Sequence, residues 1–246
     1  MLRLIALVLI LTGCAGGAVD EFAYNPKAAE ANAELGKSYL QRGDYEVAMG
    51  KLKRALKYNA ESVNANHYIA ELYRRLNKMN DADRHYKLAI SYSVNDSALY
   101  NNYGVYLCGE KRVDEALVQF ESVLKNPVYR YPELVHENIG LCMLQNGRMK
   151  MAEDSLRKAV SINPKLPKSL FELSKISFQR DRLFSARAFI NRHLEISEPS
   201  AETLWLAMEI ETKLKDATAV KSYRAQLLEK FPLSDEAEKI HRLDKR

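Results

Sequence analysis

The chain has 246 residues, with 37 lysines and arginines against 32 aspartates and glutamates, and 47% of it is apolar. Only 10 glycines and 7 prolines accompany that apolar content, which fits an all-helical soluble body and gives no sign of a large sheet. The net charge of +5 is mild and mixed in sign; a nucleic-acid partner normally requires a clustered basic stripe, which is absent.

Residues 1–13 run from the basic Arg3 through eight apolar positions, Leu4 to Leu11, into small residues. A bilayer span needs about 20 apolar residues, so this stretch reads as a secretory signal outside the fold. Its removal takes away Arg3 and no acid, leaving a net charge of +4. The sequence Leu11-Thr12-Gly13-Cys14 resembles the lipobox of bacterial lipoproteins, in which the signal is cut before the cysteine and that residue is acylated. The resemblance implies a covalent lipid on Cys14 and no other cofactor. Several acyl chains would hold the protein to a membrane, since a single chain binds only marginally. Ala15, not an acid, follows the cysteine, which implies an outer-membrane anchor with the body facing the periplasm. Residues 14–28 then make a lipidated, flexible tether, whose stretch from Ala15 to Asn25 reaches roughly 35 to 40 Å when extended. Asn25-Pro26 marks a helix start, with asparagine as N-cap and proline in the first turn.

From residue 29 one pattern takes over. Leu35-Gly36, Tyr39, Gly43, Tyr45, Ala48, Leu52 and Ala55 lie at offsets that predict two helices meeting at Gly43. Small Gly36 and Ala48 permit close approach, and Leu35, Tyr39 and Leu52 are expected to fill the space between the helices. The place of Gly36 is taken in later copies by Ala70, Gly104, Gly140, Ser174 and Met208, and that of Ala48 by Ala82, Ala116, Ala152, Ala186 and Val220. The copies cover 29–62, 63–96, 97–132, 133–166, 167–200 and 201–234, with a period of 34 residues apart from a two-residue insertion before Glu133. Period and pattern resemble the tetratricopeptide repeat. The expected fold is therefore an all-α solenoid, a right-handed superhelix of about six helix-turn-helix repeats stacked as one array over 29–234. The sixth copy, with Met208, Glu211 and Arg224 at formerly small or apolar places, reads as a terminal cap with a wetter outer face, followed by a charged tail over 235–246 that is helical with a frayed end.

In such a stack the first helix of each repeat lines the concave side. The inward positions are Ala33, Lys37 and Leu40, then His67, Glu71 and Arg74, then Asn101, Val105 and Cys108, then Glu137, Leu141 and Leu144. This mixture of apolar and polar groups suits a peptide, and those of the first three repeats are the candidates for partner binding. After acylation of Cys14, Cys108 and Cys142 are the remaining cysteines, 34 residues apart on first helices of adjacent repeats. An oxidising periplasm favours a disulfide between them, with two buried free thiols as the alternative.

Catalytic signatures are lacking. There is no glycine-rich phosphate loop and no His-Glu-x-x-His, and the five histidines have no paired ligand spacing, so no metal site is expected. Ser155-Leu156-Arg157-Lys158 matches Ser-x-x-Lys, but the companion Lys-Thr-Gly is missing and the stretch fills an ordinary repeat helix. The reading is of a binding protein and not an enzyme.

Residues off the repeat pattern carry a narrower resemblance. Asn101-Asn102-Tyr103-Gly104 with Leu107-Cys108, Asn126-Pro127 with Tyr129 and Pro132, and Asn138 with Gly140-Leu141-Cys142 resemble the type IV pilus biogenesis and stability lipoproteins, the pilotins of the pilus secretin. Membership implies a lipid-anchored protein that binds a secretin subunit and promotes its outer-membrane localisation and multimerisation, with other pilus-assembly proteins as further partners. The alternative is a lipoprotein scaffold of another envelope machine, such as outer-membrane protein insertion or cell-wall enzyme regulation.

Overall fold

The computed structural model describes residues 22–244. Among these are thirteen α-helices and no strand, and they fall into two compact units divided between Ser93 and Val94. The first unit holds α1 (Pro26–Arg42), α2 (Tyr45–Tyr58), α3 (Val63–Arg75) and α4 (Met79–Tyr92). The second holds α5 (Ser97–Gly109), α6 (Val113–Leu124), α7 (Pro132–Gln145), α8 (Met149–Ile162), α9 (Pro167–Gln179), α10 (Leu183–Ile196), α11 (Ala201–Leu214), α12 (Ala217–Lys230) and α13 (Asp235–Asp244). Consecutive helices pair as six hairpins, from α1 with α2 to α11 with α12. No helix among the described residues is long and apolar enough to cross a membrane.

Local chemistry sets the ends of these helices. Asn25 caps α1 by accepting a hydrogen bond from the Ala28 amide at 3.0 Å, and Pro26 occupies the first turn, where no amide proton is needed. Between the two helices of each hairpin the chain turns through one residue in the left-handed region: Gly43, Asn77, Lys111, Gly147, Asp181 and Lys215. These are the same repeat position six times over. Glycine adopts that conformation freely, but at four of the six places a side chain is held there at a steric cost.

The small-residue position is equally physical. A Cβ on Gly36 would lie 2.5 Å from Leu52 Cγ, and one on Gly140 would lie 2.5 Å from Leu156 Cγ. On Gly104 it would meet the Phe120 ring at 2.7 Å. Each glycine thus admits a large side chain from its partner helix, and Leu52, Phe120 and Leu156 are fully buried as a result. Burying a side chain of that size contributes about 2 kcal/mol.

Leu35 departs from the expected packing, being 47% exposed. Its equivalents Ile69, Tyr103, Ile139, Leu173 and Ala207 are all buried. Within each unit this position is covered from the preceding hairpin, Ile69 by Leu40 and Leu52, Leu173 by Leu156 and Ala207 by Ile190, and no hairpin precedes α1 among the described residues. Tyr39 is half-buried against the Leu40, Leu52, Ile69 and Leu72 cluster, as an apolar filler should be.

At the other end residues 235–244 form the expected helix, and it is docked on the last hairpin: Ala237 and Ile240 of α13 are buried with Leu204, Met208 and Leu227. The outer side of the last hairpin is therefore covered by α13, whose own far side is polar. An Arg224–Asp244 ion pair and Lys239 lying over the Trp205 ring at 5.2 Å fix its position.

Candidate protein-binding site

In the first unit, α1 and α3 pack directly on each other, and this decides the fate of the predicted groove residues. Ala33 is fully buried beside Ala55 and Ala65, and Leu40 is buried in the aliphatic core. His67 is also buried, with its ring 5.2 Å from that of Tyr68 and 6.2 Å from that of Tyr86. These three are corrected from partner contacts to packing residues: Ala33 and Leu40 are taken up between α2 and the neighbouring first helix α3, and His67 packs beside Tyr86 of α4. Lys37, Glu71 and Arg74 keep partial exposure but are already engaged. Lys37 Nζ lies 3.4 Å from Glu34 Oε2 and 5.1 Å from the Tyr68 ring centroid. Arg74 donates to Glu71 Oε2 at 2.9 Å, and the Tyr86 hydroxyl donates to the other Glu71 oxygen. Burial first, and then the Glu71 charge, push the Tyr86 hydroxyl well above its usual range, so it remains a donor.

In the second unit the first helices are tied together by specific links. Cys108 of α5 and Cys142 of α7 form a disulfide, with Cα atoms 5.7 Å apart. Asn138 Nδ2 donates to Asn101 Oδ1 at 3.0 Å across the same pair of helices. Glu137 of α7 accepts from the Ser169 amide at 3.2 Å and its hydroxyl at 2.6 Å on α9. Beside these links Val105 is 39% and Leu134 40% exposed, while Leu141 and Leu144 are half-buried. The surface that remains for a partner here is apolar side chains set among fixed amides and a carboxylate. Cys14 lies outside the described residues.

Sequence reading missed a second polar feature. Glu153 of α8 is only 5% exposed and takes hydrogen bonds from three arginines: Arg157 Nε and Nη2 at 3.0 and 2.9 Å, Arg180 Nη1 at 2.7 Å and Arg182 Nη2 at 2.6 Å. Burial pushes its carboxyl up, and the hydrogen bonds from Arg157 and Arg182 more than reverse this, holding it below the ordinary value of 4.5. The Glu153–Arg157 spacing of four is visible in the sequence. The approach of Arg180 and Arg182, 27 and 29 residues further on, requires the fold. Among the described residues no group of three or more His, Cys, Asp or Glu is arranged to hold a metal ion.

Tandem helical hairpins with a left-handed turn residue and a small-residue contact at fixed positions define a class, and this chain is a tetratricopeptide-repeat protein. The tetratricopeptide-repeat signatures match residues 17–63, 33–92 and 135–166. Within that class it is related to type IV pilus assembly proteins. It is 26% identical over 235 residues to the type IV pilus assembly protein PilF of Pseudomonas aeruginosa, covering 92% of this chain and 93% of that one. A Haemophilus influenzae protein described as uncharacterized is 30% identical over 138 residues, 56% of this chain and 77% of its own length. The solved structure of Pseudomonas aeruginosa PilF superposes with a TM-score of 0.78 at 26% identity, over 87% of this chain and 97% of that one. That of PilW, described as a widely conserved type IV pilus biogenesis factor, gives 0.77 at 27% identity, over 88% and 99%.

Proposed function

We propose that this chain is a lipid-anchored adaptor of type IV pilus biogenesis, a pilotin that binds a subunit of the pilus secretin and promotes its localisation to and multimerisation in the outer membrane. The observation that carries the reading is end-to-end similarity to two type IV pilus proteins, 92% of this chain matching PilF in sequence and 88% matching PilW in structure. The Leu11-Thr12-Gly13-Cys14 sequence supports the anchor, a covalent lipid on Cys14 with the body in the periplasm. Partly exposed Val105 and Leu134, beside the Asn101–Asn138 and Glu137–Ser169 bonds, support an extended polypeptide as ligand. Apolar contacts would supply affinity and the fixed polar groups would set register.

The mechanism is the coupling of two attachments. Acyl chains hold one end at the membrane while the repeat surface holds the secretin subunit, which raises the subunit's local concentration where it must insert. Deleting the gene should leave the secretin as monomer and away from the outer membrane. Restoring a Cys14→Ser form should leave binding intact in detergent extracts while localisation stays lost. Secretin rings of normal abundance and placement in the deletion strain would defeat the proposal and direct attention to another envelope machine.

A further inference from the structure

The arginine cluster on Glu153 has no role in the reading above; it lies on α8, at the end of α9 and at the start of α10, on residues that take no part in the first-helix links described so far. Its charge does not balance. Three guanidiniums converge on one carboxylate, and among the described residues Glu153 is the acid with which all three pair. A fourth cation joins through an aromatic ring, since Arg157 and Arg192 stand 5.4 and 6.0 Å from the Phe189 centroid. The acids nearest in sequence do not compensate: Asp181 is paired with Lys213 at 3.2 Å, and Asp154 is exposed.

A carboxylate offers about four lone-pair positions, and the arginines make four bonds to this one, three to Oε1 and one to Oε2. Most of the fifteen or so guanidinium N–H donors are therefore left over. The side chains of Arg157, Arg180 and Arg182 are 43%, 42% and 37% exposed, so apart from the buried Arg182 Nε the guanidiniums keep surface open to solvent while Glu153 holds the forks in place from beneath. Arginine forks fixed beforehand bind oxyanions with less loss of side-chain freedom than mobile ones do.

We propose that Arg157, Arg180 and Arg182, held on Glu153, form a second docking surface that takes an acidic polypeptide segment of a partner protein. The site is shallow and spread over three elements, so a single small anion would stay largely hydrated there. A segment presenting several carboxylates engages several forks at once and gains from their proximity. The buried glutamate is a positioning residue, and the arginines are the contacts.

The test uses the full chain purified in detergent and a fluorescent hexaglutamate peptide, with hexaglutamine as the uncharged control. Hexaglutamate should bind at low salt, hexaglutamine should not, and binding should weaken as salt rises. Arg157→Gln and Arg180→Gln should each weaken it by about fivefold, the scale of a partly exposed charge pair. Because such variants could lose structure, amide exchange of the unaltered protein supplies an independent readout, with hexaglutamate slowing exchange around residues 153–157 and 180–182. Absent binding, equal binding by the variants, or protection elsewhere would overturn the proposal. So would displacement of the peptide by inorganic phosphate at equal charge concentration, which marks a small-anion site, or by phosphatidylglycerol vesicles at far lower charge concentration, which marks a lipid surface.

Discussion

The two units solve the same packing problem with different means. In the first, α1 and α3 meet through apolar packing that takes up Ala33 and Leu40, and through hydrogen bonds from Asn64 to Glu30 at 2.5 Å and from Tyr68 to Glu34 at 3.0 Å, while His67 is buried against Tyr68 and Tyr86. In the second, α5 and α7 are joined by the Cys108–Cys142 disulfide and the Asn101–Asn138 hydrogen bond, with Val105 and Leu134 left partly open. Directed hydrogen bonds cross both pairs of first helices, and what the α5 and α7 pair has in addition is a covalent link, beside which the apolar Val105 and Leu134 stay partly open. A stripe that itself provides the adhesion has little left to offer.

The largest effect expected from breaking this contrast comes from the disulfide. Replacing Cys108 and Cys142 by alanine should destabilise the second unit by about 3 to 4 kcal/mol, the chain-entropy value for a loop of this length. Reductant should have the same effect on the unaltered protein, and denaturant unfolding with separate probes in the two units will show whether the first unit is spared. Gly140→Val should follow at about 3 kcal/mol, because its new side chain drives into Leu156 and also finds the Leu156 backbone nitrogen 3.2 Å from the Cβ. Gly36→Val is the matching change against Leu52 in the first unit.

These glycines show how far the sequence speaks for the fold. The 34-residue recurrence gives the helices, the turn position and the small-residue contact, because each is a local steric requirement written once per repeat. Leu35 reads as core by the same rule and is exposed, since its burial depends on a neighbour and not on its own hairpin. Ala33, Leu40 and His67 fail as groove residues for the converse reason: periodicity identifies a helix face, but how much of that face the helices packed around it take depends on their distance. The docked α13 and the Glu153 cluster rest on contacts between segments far apart in the chain, for which no local pattern exists.

A smaller effect is expected at Glu153. Glu153→Gln should cost about 2 kcal/mol, as it leaves buried donors without a charged acceptor, including Arg182, whose Nε already lacks a partner. Since the folded carboxyl titrates below its ordinary value of 4.5, the stability it contributes is present above that value and lost as the pH falls through the depressed one. Thermal midpoints of the unaltered chain should therefore fall in that acid range more steeply than those of Glu153→Gln. The smallest effect is a gain. Lys111→Gly and Lys215→Gly relieve left-handed backbone at the hairpin turns, and each should stabilise by about 0.5 to 1 kcal/mol where the unfolded-state entropy of glycine does not offset it.

The contrast between spent and available first-helix surface is tested most directly by photo-crosslinking in living cells. A photoreactive residue is placed at Val105 on α5 or at Val118 on α6, which is 58% exposed on the second helix of the same hairpin. Covalent capture of the pilus secretin subunit from position 105 and none from 118 is the predicted result. Capture from 118 alone, or from neither position in cells that assemble pili normally, would contradict the account.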